Sequence, residues 1–140
     1  MIALALGIAA VFLSLAVLHV YWAAGGKAGA AAAVPEVEGR PAFVPGPNAT
    51  LLVALALTLG ALVVLGRAGL WAPARIPRTL FTVGTWVLCA VLLLRAVGDG
   101  RLVGFTKRVR GTRFARRDTL FYSPLCLLLG LGLLGLALSR

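Results

Sequence analysis

The sequence predicts an all-α protein, a four-helix transmembrane bundle with short loops. Most of its 140 residues lie in four long apolar runs, none of which contains Lys, Arg, Asp or Glu. A helix needs about 20 apolar residues to cross a bilayer, so four helices use roughly 80 residues and leave enough chain for three loops. Charged residues make up 13% of the chain, against about 25% in a typical soluble domain. We therefore predict one integral membrane domain, residues 1–140, with spans at about residues 2–24, 49–66, 79–98 and 119–139.

The first span ends in the segment His19-Val20-Tyr21-Trp22, and Tyr and Trp at the end of a span are typical of the membrane interface. No charged residue precedes Lys27, and the apolar run is longer than the roughly 7–15 residues usual in a signal peptide. We therefore predict a retained helix.

Loop 1, residues 25–47, begins rich in Ala and Gly and then carries four prolines. It is predicted to cap this end of the bundle, with one short helical turn near residues 28–34. Asn48 is predicted to cap the second span, because an Asn side chain accepts from free N–H groups at a helix N-terminus.

The third span is short, since only 16 residues separate Arg78 from Arg95. That length gives roughly 24 Å of helix against a hydrocarbon core of about 30 Å. The helix is therefore predicted to continue past Arg95, which must reach the interface or pair inside the bundle. The fourth span is predicted to begin at Asp118 or Thr119, either of which can cap a helix, and Pro124 follows in its first turns.

Loop 3, residues 99–118, is the most basic part of the chain. If it is helical, Leu102, Phe105 and Val109 share one face, so we predict an interfacial segment whose basic side chains meet lipid phosphates. The residues predicted to bind headgroups are Arg101, Lys107, Arg108, Arg110, Arg113, Arg116 and Arg117.

The distribution of Lys and Arg predicts how the chain threads the membrane. With four spans, loops 1 and 3 share one side and carry nine Lys or Arg, whereas loop 2 (residues 67–78) and the C-terminus carry four. Basic loops stay in the cytoplasm. A multi-pass protein of a bacterial inner membrane is predicted, with loops 1 and 3 inside and both termini outside.

The net charge of +10 implies an anionic partner. Because the charges flank apolar spans, this partner is predicted to be membrane lipid with anionic headgroups and not nucleic acid. A second copy of the chain, or another membrane protein, stays open as a partner.

Most of the unusual polar residues are predicted to gather at the end of the bundle that faces loops 1 and 3. The candidate polar cluster is His19, Trp22, Arg95, Asp99, Asp118 and Tyr122. An ionisable group at membrane depth usually faces a partner or a wet cavity. The cluster therefore forms either a binding pocket or an ion-pair network that pins the helix ends, with Asp118 as a helix cap and Arg95 reaching for the interface.

No metal site and no cofactor are predicted. His19 is the one histidine, and the sequence has no HExxH, P-loop, dinucleotide or nucleophile motif. Cys89 and Cys126 both lie inside predicted spans and read as small buried apolar residues; whether they pair depends on helix contacts and stays open.

The combined polar and glycine pattern resembles an uncharacterised family of small bacterial membrane proteins, domain of unknown function thirty-nine ninety-five. The matching motifs are His19-x-x-Trp22 with Gly25-Gly26, Pro45-Gly46-Pro47, Arg95-x-x-Gly98-Asp99, Gly104-Phe105-x-Lys107, Gly111-Thr112-x-Phe114-Ala115-x-x-Asp118 and Tyr122-Ser123-Pro124-Leu125-Cys126. The resemblance covers nearly the whole chain. It implies a four-span membrane protein and no known activity.

Two functions fit these observations. The first is a non-enzymatic accessory or lipid-interacting membrane module whose polar end is structural or binds headgroups. The second is a small membrane enzyme or carrier that uses the cluster as its site. An enzyme or carrier needs an enclosed pocket lined by the cluster, whereas a module needs only paired charges.

Overall fold

The computed structural model describes residues 1–139 and confirms the predicted all-α class. In chain order the elements are α1 (Ile2–Ala23), α2 (Ala30–Ala33), β1 (Glu36–Val37), β2 (Arg40–Pro41), α3 (Pro47–Arg67), α4 (Arg78–Val97), α5 (Arg113–Arg117), a π-helical turn (Asp118–Tyr122) and α6 (Ser123–Leu138). The helices α1, α3 and α4, together with the continuous run from α5 through α6, are four segments long and apolar enough to cross a membrane.

The four long helices pack mainly as two pairs, α1 against α3 and α4 against α6, and α3 joins the pairs by packing on α4. Small residues let the backbones approach closely. A Cβ added to Gly60 of α3 would lie 3.0 Å from the Phe12 ring of α1, and one added to Gly130 of α6 would lie 2.7 Å from Leu93 of α4. The centre of the core is closed by Leu133, which is fully buried.

Large apolar side chains cover the outside of the bundle. On α4 they are Leu80, Val83, Trp86, Val87, Val91 and Leu94, all of them exposed. On a protein in water such a surface would drive association. In a bilayer it faces hydrocarbon, as expected for a membrane-spanning helix.

Loop 1 folds into an ordered cap that contains the predicted helical turn, here α2, and a two-stranded hairpin that the sequence reading did not anticipate. Glu36 pairs with Pro41 and Val37 with Arg40. Glu38 and Gly39 between the strands both have positive φ, which is the backbone of a type I′ turn. The helix α3 then begins at Pro47 with Gly46 as its cap residue and no side-chain cap bond, so the prediction that Asn48 caps it was wrong.

The helix α4 ends at Val97, which agrees with the prediction that it continues past Arg95. The interfacial helix predicted from Leu102, Phe105 and Val109 is absent, because residues 98–112 form turns and bends. Four glycines of this stretch have positive φ, a conformation that interrupts helices.

The fourth membrane-crossing segment begins earlier than predicted. Its cap residue is Thr112, whose Oγ1 accepts from the Ala115 N–H at 3.0 Å, so neither Asp118 nor Thr119 is the cap. Asp118 opens a π-helical turn in which the Ser123 N–H donates to the Asp118 carbonyl, five residues back. A proline inside an α-helix clashes with the carbonyl four residues before it, and the wider turn lies directly before Pro124, where it relieves that clash.

Candidate functional site

The carboxylate of Asp118 is the centre of the polar cluster. It is completely buried and accepts four hydrogen bonds. Its Oδ1 accepts from Arg95 Nη2 at 2.7 Å. Its Oδ2 accepts from the Gly104 N–H at 2.8 Å, from Lys107 Nζ at 2.9 Å and from Ser123 Oγ at 3.1 Å. Because these four donors all belong to the protein and the carboxylate is completely buried, Asp118 is not presented to a substrate.

Three parts of the chain meet at this carboxylate. Arg95 comes from the last turn of α4, Gly104 and Lys107 from loop 3, and Ser123 from the start of α6, directly after the π-helical turn that Asp118 opens. The two cations and one anion leave one positive charge. The Arg95 side chain is 30% exposed, so this charge lies at the edge of the cluster, where an exposed guanidinium is least costly.

Lys107 is the main correction to the sequence reading. It was predicted to bind lipid headgroups, but only 3% of it is exposed. Its Nζ donates to Asp118 and, at 2.8 Å, to the Gly104 carbonyl. A lysine is almost never fully buried unless it is paired. We therefore remove Lys107 from the headgroup set and place it in the ion cluster.

Two glycines allow loop 3 to deliver the Gly104 N–H to Asp118. Gly98 and Gly104 both have positive φ and their backbones touch. A Cβ on either one would collide with backbone atoms of the other segment. The contact is extended by the N–H groups of Phe105 and Thr106, which donate to the carbonyls of Ala96 and Val97 at 2.9 and 3.1 Å.

Asp99 does not join the cluster. It is exposed, and its Oδ1 accepts from the N–H groups of Arg101, Leu102 and Val103 at 2.7–3.0 Å. These bonds, led by that of Val103, hold the pKa of the Asp99 carboxyl below its ordinary value of 3.8. A lowered pKa means that this turn is fully stabilised above about pH 3.8 and loses that stabilisation as the pH falls through the lower folded value.

His19 and Trp22 lie apart from Asp118 and line a cavity of about 570 Å³ under loop 1. Their rings meet edge to face with centroids 5.0 Å apart. The cavity is bounded by the end of α1, by α2, by the hairpin and by the first turns of α3. None of Arg95, Asp99, Asp118 and Tyr122 lines it, so the structure divides the predicted cluster into two places.

Tyr122 connects loop 1 with the fourth membrane-crossing segment. Its hydroxyl donates to the Ala32 carbonyl in α2 at 3.2 Å, and its ring lies 6.0 Å from that of Phe114, centroid to centroid. This contact ties loop 1 to the start of the fourth segment. The hydroxyl has no bond to Asp118 or Arg95 among residues 1–139.

Within residues 1–139 no three His, Cys, Asp or Glu side chains are placed to hold a metal ion. Cys89 and Cys126 are both free thiols, and Cys89 Sγ donates to the Gly130 carbonyl at 3.4 Å. That bond links α4 to α6 and leaves the thiol a packing role.

The sequence reading missed three residues of these sites, namely Ser123, Glu36 and Lys107 as an ion-pair partner. Lys107 lies in a run of basic residues and looks like the others. One signal was available. Gly104 interrupts the helical pattern expected of an interfacial segment, so Lys107 need not lie on the face predicted for it. Glu36 carried no signal, since the hairpin that aims it was not foreseen.

The first prediction ranks substitutions in the cluster. Asp118→Ala leaves Arg95 and Lys107 without their counter-ion and should cost about 3–5 kcal/mol. Arg95→Ala should cost less, because Asp118 keeps Lys107 and Arg95 is partly exposed. The exposed Arg75 forms no ion pair among the described residues, so Arg75→Ala is the control. Thermal melts in detergent measure the order Asp118, then Arg95, then Arg75; equal melting of all three variants would contradict it.

The second prediction concerns the glycine contact. Gly100 and Gly104 both have positive φ, but a Cβ on Gly100 meets nothing within 4 Å. Gly100→Ala should therefore cost only the backbone term, about 1–2 kcal/mol. Gly104→Ala adds the collision with Gly98 and displaces an N–H from a buried carboxylate, about 1–3 kcal/mol more. Melts of the two variants give the difference directly, and a Gly104→Ala protein as stable as Gly100→Ala would show that the contact is not required.

Comparison with known proteins assigns no reaction to the chain. No curated protein and no solved structure matches the chain. The family described as "Protein of unknown function (DUF3995)" matches residues 2–133. This range includes all four membrane-crossing segments up to Leu133, the ion cluster and the cavity. The chain therefore belongs to the DUF3995 family.

Proposed function

We propose that the protein is a non-catalytic membrane module that binds anionic lipid headgroups at the end of the bundle formed by loops 1 and 3. The observation that carries the proposal is a set of six exposed arginines that form no ion pair among residues 1–139. They are Arg101, Arg108, Arg110, Arg113, Arg116 and Arg117.

The chain has too few acids to neutralise these arginines. It contains four Asp and Glu against fourteen Lys and Arg. Asp118 is fully used by Arg95 and Lys107, and Asp99 is bound to backbone N–H groups. An arginine guanidinium matches the geometry of a phosphate and can bind it with two hydrogen bonds. Lipid phosphates at the membrane surface supply the missing negative charge.

Exposed apolar side chains beside the arginines support an interfacial position. Leu120 and Phe121 of the π-helical turn are exposed and follow Arg116 and Arg117 in the chain. Phe105 in loop 3 is exposed as well. A surface that mixes basic and large apolar side chains is typical of segments that lie in the headgroup region.

The ion cluster supports a module over an enzyme. A general base or nucleophile needs a free position toward its substrate, and the Asp118 carboxylate is completely buried and held by four donors of the protein. The second candidate function, a carrier or enzyme, would need the cavity under loop 1 as its site. Of the predicted cluster only His19 and Trp22 line this cavity, and its charged members do not.

The lipid prediction compares variants in nanodiscs. Arg116→Gln with Arg117→Gln removes two surface charges, each worth about 1 kcal/mol of attraction to an anionic membrane. This double variant should retain less phosphatidylglycerol than the wild type in native mass spectrometry, with the difference shrinking as salt is added. The matched control, Arg116→Lys with Arg117→Lys, keeps the charge and should retain most of the binding. Equal retention of phosphatidylglycerol and phosphatidylcholine by the wild type would refute the proposal.

The threading prediction rests on the same arginines. Nine Lys or Arg in loops 1 and 3 against four on the other side favour loops 1 and 3 in the cytoplasm and both termini outside. Burial of Lys107 leaves eight on the basic side, so the bias persists. With both native cysteines replaced by Ala, an impermeant thiol reagent applied to intact cells should label Arg75→Cys and spare Arg108→Cys. The reverse labelling would invert the orientation.

A further inference from the structure

We propose that the cavity under loop 1 binds the primary ammonium headgroup of an amphiphile, whose apolar chain leaves along the start of α3. This site goes beyond the anionic headgroup binding proposed for the arginines, because it lies on other elements and selects the opposite charge. The inference follows from which hydrogen-bonding groups of the lining side chains remain free.

His19 lines the cavity, and one nitrogen of its ring is a free acceptor. Its Nδ1 lies 2.7 Å from the Leu15 carbonyl oxygen. A carbonyl oxygen only accepts, so Nδ1 must carry the proton of this bond. In the neutral ring Nε2 then holds a lone pair, and Nε2 has no partner among residues 1–139.

The donors beside His19 are already used. Trp22 Nε1 donates to the Ala28 carbonyl at 2.8 Å. Thr50 Oγ1 donates to the Gly46 carbonyl at 3.0 Å, which leaves only its lone pairs. Trp22 has no acceptor of its own, so the free capacity of this wall is the lone pairs of His19 Nε2 and Thr50 Oγ1.

Glu36 adds a negative charge to the same wall. It lines the cavity and forms no ion pair among the described residues, although the chain carries a net charge of +10. The register of the hairpin gives the reason. Glu36 pairs with Pro41, and both line the cavity, whereas Arg40 pairs with Val37 and neither of those lines it. Successive residues of a strand point to opposite faces, so Arg40 is turned away from Glu36.

The remaining wall of the cavity is apolar and continues to the start of α3. Most of it comes from alanines of α2, from Phe43 and Val44, and from Ala49 and Val53 of α3. The neighbouring Leu51 and Leu52 are exposed on the outside of the bundle. A volume of about 570 Å³ lies within the range of roughly 300–1,000 Å³ usual for small-ligand sites. It is large enough for a headgroup and the first part of a chain.

These groups together select the headgroup chemistry. An anion is repelled by Glu36 and finds no free side-chain donor on this wall. A trimethylammonium group carries charge but has no N–H to give to His19 Nε2. A primary ammonium has three N–H donors, enough for the Glu36 carboxylate, His19 Nε2 and the Thr50 oxygen, and Trp22 and Phe43 can supply aromatic contact to the cation. The group could be the headgroup of phosphatidylethanolamine or of a free long-chain amine.

The experiment uses the full chain in phosphatidylcholine nanodiscs with Trp71→Phe and Trp86→Phe, so that Trp22 is the one tryptophan. Phosphatidylethanolamine is added in one arm and dodecylamine in the other, with dodecyl trimethylammonium as the control headgroup. We expect a saturable change in Trp22 fluorescence with at least one of the two primary amines and none with the control. Saturation by the lipid alone identifies a lipid headgroup, and saturation by dodecylamine alone identifies a free amine. No saturation by either, or equal saturation by the control, overturns the proposal.

Matched variants test the assigned groups. Glu36→Gln removes a charge-assisted hydrogen bond and should weaken binding by about tenfold or more. Glu38→Gln makes the same change two residues away at the turn, outside the cavity, and should bind as the wild type does. His19→Phe keeps a ring but removes Nε2 and should also weaken binding. Unaltered melting temperatures show that the variants are folded, and equal binding by Glu36→Gln and Glu38→Gln would overturn the assignment. The Arg116→Gln, Arg117→Gln double variant should keep full amine binding, which separates this site from the arginine surface.

Discussion

The full use of the Asp118 carboxylate is the constraint on which the polar end of this protein depends. A buried carboxylate without partners would cost several kcal/mol, and its four bonds hold three parts of the chain together. The bond from Arg95 sets how the end of α4 lies against the fourth segment, and the bonds from Lys107 and Gly104 fold loop 3 back onto the bundle. The bond from Ser123 closes the π-helical turn on itself. The shape of loop 3 thus depends on the Asp118 carboxylate, around which the loop folds.

The buried ion cluster and the exposed arginines have different roles, because one is hidden from solvent and the other is not. Inside, each charge has a partner, so Arg95, Lys107 and Asp118 act in folding. Outside, the six exposed arginines form no ion pair among residues 1–139 and are the groups that we propose bind phosphate. The cavity under loop 1 adds an acceptor-lined surface within a strongly basic protein, because the hairpin register turns Glu36 inward and Arg40 outward. Local register, more than net charge, decides which ligand each surface can attract.

The four spans could be predicted from the sequence because a bilayer demands about 20 apolar residues per helix and tolerates few charges. The continuation of α4 past Arg95 followed from the same length argument. Loop 3 could not be predicted in this way. The spacing of its apolar residues fits a helix. Its glycines instead have positive φ, and Gly98 contacts Gly104, because the loop folds back so that its groups contact Asp118. The meeting of Arg95 and Asp118 in one cluster followed from their position at one end of the bundle, whereas the burial of Lys107 depends on loop folding that its neighbours in sequence do not reveal.

The pairing of the helices has a consequence for how the protein is assembled. Every bond to Asp118 comes from residues between Arg95 and Ser123, so the ion cluster belongs wholly to the α4–α6 hairpin. The α1–α3 hairpin contains no ion pair in the part of the chain that the structure describes. The α4–α6 hairpin can therefore enter the membrane with the charges of this cluster already paired. A chain divided within loop 2 would yield one half that holds the whole ion cluster and one half that holds no ion pair among residues 1–139. The two halves would meet through apolar surfaces, through Tyr122 donating to Ala32, and through Arg67 donating to carbonyls at the end of the fourth segment.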